Sequence, residues 1–178
     1  ICGIYSWSRG GGWFGPYIKN EFWCDLNSYI IAQFAANPHL TEHKIFIDYA
    51  INIMELDESN AEKFHDMCLL IPDAVLKGRY IEAYDRSLNE SIMPCGNWIR
   101  DDRIGGLRQL NEVFEYLEKN NSVNDAVEEK HESVKIWEQI KKQFSDIEIK
   151  DKKLNDFISG SIEYGLRFYR IIDISFSI

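Results

Sequence analysis

Apolar residues recur at alternating steps of three and four along almost the whole chain after residue 20, and this limits the folds open to it. That spacing lines one face of an α-helix and does not suit a β-strand. Phe22, Leu26, Tyr29, Ile30 and Gln33 share one side of a first helix, placed from Asn20 or Glu21 to about Ala36. Asn37-Pro38 ends it, because proline lacks an amide hydrogen and restricts the residue before it. Thr41 is a good N-cap for a second helix, with acidic Glu42 in its first turn. Ile45, Phe46, Tyr49, Ala50 and Ile53 form its apolar face. Ile47, Ile51 and Met54 lie off that face, so the helix is expected to be buried on most sides.

A polar break, Glu55-Leu56-Asp57-Glu58-Ser59, precedes a long pattern from Asn60 to Leu88 that carries Ala61, Phe64, Cys68, Ile71 and Val75. Pro72 lies inside it and is expected to kink or split the helix. Residues 89–106 form the longest irregular stretch. Its Arg100-Asp101-Asp102-Arg103 cluster reads as a self-neutralising network that pins a loop, ahead of a recognition patch. Leu107, Leu110, Val113, Phe114 and Leu117 mark another helix. Ser122 is expected to cap the next, with Val123, Val127, Val134, Trp137, Ile140 and Phe144 on its apolar side. Glu128, Glu129, Lys130, Glu132, Lys141 and Lys142 read as its solvated face. Asp151 caps a last helix, Lys152 to about Asp173, where Gly160, Ser161 and Gly165 would let a neighbour come close.

At 178 residues the chain is long enough for one domain with a real core. Its net charge of −9 disfavours a nucleic-acid surface and an anionic lipid surface alike. No apolar run approaches the roughly 20 residues that span a bilayer, so the expectation is a soluble, cytoplasmic or periplasmic protein. Cys2, Cys24, Cys68 and Cys95 show no paired spacing and read as buried free thiols. Asn89 and Asn120 head Asn-x-Ser sequons that carry little weight by themselves. The first residues, Ile1-Cys2-Gly3-Ile4-Tyr5, read as a strand begun midway, which suggests that a leader or a larger domain has been removed upstream.

Trp7-Ser8-Arg9-Gly10-Gly11-Gly12-Trp13-Phe14-Gly15-Pro16-Tyr17 stands apart from the helical pattern. Three glycines allow a sharp bend, and large rings flank it. Trp7, Trp13, Phe14 and Tyr17 either stack on sugar faces or wedge the loop onto the helices. Arg9 either grips a carboxylate with its two-pronged guanidinium or pairs with Glu21 or Asp25. Glu21 and Asp25 share a helix face, as acid–base groups, as metal ligands, or as first-turn charges that favour the helix dipole. Asn27 reads as a buried amide that satisfies loop backbone. His39 and His43 are split by the start of a helix at Thr41, and His65 and His131 are isolated, so no metal centre and no cofactor is expected.

The run Trp7 to Trp13, then Gly15-Pro16-Tyr17, then Asn20-Glu21-x-Trp23-x-Asp25-Leu26-Asn27, resembles the end of a barrel glycoside hydrolase. Asn37-Pro38 followed by Thr41-Glu42 resembles the helical region after such barrels. Over residues 1 to about 56 the chain is similar to the α-glucuronidase type of TIM-barrel glycosidase. The resemblance implies that Ile1 to Trp7 is the last barrel strand and that the glycine bend lies at the face where such barrels put their sites. The paired carboxyl groups of glycoside hydrolysis would sit on earlier strands, so no catalytic residue is assigned here.

The expected fold is therefore mainly α, a multi-helix array with one short N-terminal strand, from the C-terminal part of a (β/α)8-barrel enzyme. Residues 1–19 would be strand and loop, and 20–178 a helical domain. Trp7, Arg9, Trp13, Tyr17 and Glu21 would bind a carbohydrate, one containing a uronic acid. The remaining partner would be the rest of the barrel or a second copy. The alternative is a stand-alone helical protein-interaction module, and a third reading is a small helical enzyme using Glu21 and Asp25.

Overall fold

The computed structural model describes residues 21–88, 99–100, 103–104 and 107–177. Among these the chain is mainly helical, as its periodicity predicts. In order, the elements are α1 (Glu21–Ala36), α2 (Glu42–Asn52), α3 (Glu58–Cys68), α4 (Ile71–Arg79), α5 (Glu82–Leu88), β1 (Ile99–Arg100), β2 (Arg103–Ile104), α6 (Leu107–Lys119), α7 (Val123–Phe144) and α8 (Lys152–Phe176). The described residues fall into two compact units. One lies within Ile1–Leu69 and Lys141–Tyr164, the other within Leu70–Ile140 and Gly165–Ile178.

Helix ends follow local chemistry. Thr41 accepts the Lys44 amide at 3.3 Å, and Asp151 accepts those of Lys153 and Leu154 at 2.8 and 3.3 Å. The long pattern after Asn60 splits, because Pro72 falls in the first turn of α4, where its missing N–H leaves no helical bond unmade. Asp57 caps α3 by accepting the Asn60 backbone N–H at 2.8 Å and its side-chain amide at 2.9 Å. The backbone bond, then the side-chain bond, holds the Asp57 carboxyl below its ordinary range. Its contribution to stability is present above the unfolded pKa and lost as pH falls through the lowered folded value. The gap in urea midpoint between wild type and Asp57→Ala is thus expected to close below about pH 4. A gap that does not change with pH would contradict this role.

In the first unit, Phe22 and Leu26 of α1 are buried with Ile45, Phe46 and Tyr49 of α2 and Phe64 of α3. The Phe22 ring meets Tyr49 and Phe64 edge-on, at 6.3 and 6.0 Å between centroids. Asn60, buried in α3, accepts the Glu148 amide at 3.0 Å and so ties the turn after α7 to this core. In the second unit, Trp137 of α7 stacks on Tyr169 of α8 at 5.4 Å. Gly165 lies beneath the Trp137 ring, which gives that one residue of the three the predicted role in close approach.

The structure corrects several expectations. Asn27 is exposed, not a buried amide, because Phe22 and Leu26 carry the core-facing side of α1 and Asn27 lies beyond it. Ile53 is exposed because α2 stops at Asn52 and Ile53 falls at its C-cap. Ser122 precedes α7 as expected, but its buried hydroxyl makes no hydrogen bond, and the capping contact is absent. Lys130 belongs to no solvated face: it is 1% exposed. The irregular stretch contains an antiparallel ladder that pairs Ile99 with Ile104 and Arg100 with Arg103. The expected strand Ile1 to Trp7 lies outside the described residues, and nothing among them supports a barrel origin. No described helix is long and apolar enough to cross a membrane.

Candidate functional site

Of the residues expected to bind substrate, Trp7, Arg9, Trp13 and Tyr17 lie outside the described part of the chain. Glu21 opens α1, and its side chain is also outside. What the structure shows is how the helix that follows them is held. Phe22 and Leu26 are sunk in the first unit's core, and the Trp23 indole N–H donates to the Ser161 hydroxyl of α8 at 2.5 Å. Tyr29 donates to the Asp48 carboxylate of α2 at 2.7 Å, which raises the pKa of its phenol above the ordinary value. Asp25, the other half of the predicted carboxylate pair, is exposed. Cys24 and Cys68 are each partly buried, and burial pushes the Cys68 thiol up. Cys2 and Cys95 lie outside the described residues.

A second cluster forms where α2 meets α3. One ring nitrogen of His43, one of His65 and a carboxylate oxygen of Glu62 all lie within 4.8 Å of one another. His43 Nε2 meets the Glu62 carboxylate at 2.8 Å, and His65 Nε2 meets both Glu42 oxygens, at 3.0 and 3.2 Å. The two imidazoles stand edge-on at 4.8 Å. His43 and Glu62 are half exposed, whereas the His65 side chain is 7% exposed. The hydrogen bond to Glu62 raises the His43 pKa, with smaller contributions from Glu42 and Asp66.

In the sequence His43 pairs only with His39, and His65 stands isolated. One signal was present: Glu62 and His65 are spaced i, i+3 on one helix and therefore share a face. The polar break before α3 also makes α2 and α3 neighbours. Compared with known proteins, the chain matches no family model, no curated protein and no solved structure.

Proposed function

We propose that this chain is a helical binding module that presents its ring-rich N-terminal segment to a carbohydrate bearing a carboxylate, and that it does not hydrolyse the sugar by itself. The observation that carries this reading is the anchoring of α1. A helix pinned by Phe22, Leu26 and the Trp23–Ser161 bond gives the adjoining segment a rigid base. Flat rings at Trp7, Trp13 and Tyr17 offer apolar faces for a sugar, and Arg9 offers a fork for its carboxylate. A narrower form makes the chain the helical C-terminal region of an α-glucuronidase-like hydrolase, with the catalytic acids supplied from elsewhere.

Calorimetric titration with a glucuronic-acid-bearing oligosaccharide and with its neutral glucose counterpart tests the proposal. Arg9→Ala is expected to weaken the acidic ligand about tenfold and leave the neutral one unchanged, a difference of about 1.4 kcal/mol. Trp13→Ala is expected to weaken both. Equal loss of both ligands in Arg9→Ala, or no binding in wild type, would overturn it. A second reading, a grip on a protein partner, draws on Ile171 and Ile174 of α8, which are 58% and 60% exposed and close together on the helix. On that reading both sugar titrations are silent.

A further inference from the structure

We propose that His43, Glu62 and His65 form a binding site for a divalent transition-metal ion, zinc by the chemistry of the donors, on the α2–α3 surface of the first unit. This is independent of the carbohydrate reading. Two imidazole nitrogens and one carboxylate oxygen are a donor set that suits zinc, cobalt or nickel; calcium and magnesium prefer oxygen alone. A tetrahedral ion with bonds of about 2.0–2.1 Å holds its ligand atoms about 3.3 Å apart. The His43–Glu62 pair at 2.8 Å has only to open slightly, while separations within 4.8 Å have to contract. Rotation of His43 and Glu62 can do both, because each is half exposed and neither is locked in the core.

The third ligand is already held in place. His65 is buried, its ring is edge-on to Phe46 at 5.2 Å, and Glu42 fixes it through Nε2. A carboxylate only accepts, so Nε2 carries the hydrogen in this contact. A carboxylate behind one ring nitrogen is what orients ligating histidines and strengthens the other nitrogen as a donor. The other nitrogen, Nδ1, is buried and makes no hydrogen bond, and the exposed Asp66 carboxylate lies 3.7 Å from it. A buried ring nitrogen that makes no hydrogen bond is uncommon and calls for a reason. Exposed His–Glu contacts contribute little to stability, so they do not explain why a second histidine is buried beside the first. Three protein ligands leave the remaining coordination open to solvent.

The test is calorimetric titration of the metal-free full chain with zinc chloride, repeated with cobalt(II) to read its visible spectrum. A single ion per chain is expected to bind in wild type. His43→Ala and Glu62→Gln, both at exposed positions, are expected to weaken it at least about tenfold while the circular dichroism stays unchanged. His39→Ala, at an exposed histidine outside the cluster, is expected to leave it intact. The cobalt spectrum is expected to show the intense visible d–d bands of a tetrahedral ion and no thiolate charge-transfer band. No binding in wild type, equal binding in His43→Ala and Glu62→Gln, loss in His39→Ala, or a thiolate band would each overturn the proposal.

Discussion

Replacing Lys130 by methionine is expected to cost about 3 kcal/mol of stability at neutral pH. Lys130 is 1% exposed in α7, and its ammonium donates to the Lys77 carbonyl at 2.6 Å and to the Tyr80 carbonyl. These carbonyls belong to the last turn and C-cap of α4, where a positive charge is favoured. Its third contact is the Glu129 carboxylate at 3.4 Å, and the Phe176 ring lies 5.5 Å away. Methionine fills the space but leaves both carbonyls and Glu129, itself pushed up by burial, without their donor.

The loss is expected to grow with alkalinity. Burial lowers the Lys130 pKa from 10.5 to about 8, against the pull of Glu129 and Asp85. The folded chain then holds this proton more weakly than the unfolded chain does. Stability therefore rises as pH climbs from about 8 to 10.5 in wild type, and methionine cannot share the gain. Urea unfolding near neutrality and near the top of that window is expected to show the difference between the two proteins widening by roughly 2–3 kcal/mol. Titrating groups that do not touch Lys130, such as Tyr84, are common to both proteins and cancel. A difference that stays constant would mean that Lys130 is not the buried cation described.

Gly78→Ala is expected to cost about 3 kcal/mol, near the upper end for overpacking. A β-carbon there would fall 2.1 and 2.2 Å from two carbons at the edge of the Tyr169 ring and 2.6 Å from the Ser133 hydroxyl. Neither neighbour can withdraw easily. The Tyr169 ring is stacked on Trp137, and Ser133 is bonded to the Ala74 carbonyl at 2.7 Å. The thermal midpoint is expected to drop by roughly 6–12 °C. Tyr169→Leu in the Gly78→Ala background is expected to recover part of the loss, since the clash is with the ring. A single alanine variant as stable as wild type would show that α4 and α8 do not pack so tightly.

Local chemistry made most helix boundaries legible. Thr41, Asp151, Pro72 and Asn37-Pro38 act on their immediate neighbours, so their effects can be read from a few residues. Lys130 is also legible in the sequence, although its charge points to solvent. Its position between Val127 and Val134 continues the apolar stripe, and that periodicity outweighed the cost of burying an ammonium because α4 offers carbonyls to it. The His43–Glu62–His65 cluster was harder to see. It depends on how two helices pack, and a histidine on a solvated face gives no sign of a partner on the next helix. Ser122 shows the reverse: a residue type suited to capping occupies the right place but makes no bond.

Hydrogen–deuterium exchange of the whole chain, with and without a saturating glucuronic-acid-bearing oligosaccharide, is the most direct check on the binding role. Slower exchange is expected at residues 7–17 and over the first turn of α1, with the second unit unchanged. Protection confined to the second unit, or none at all along the ring-bearing segment, would contradict it.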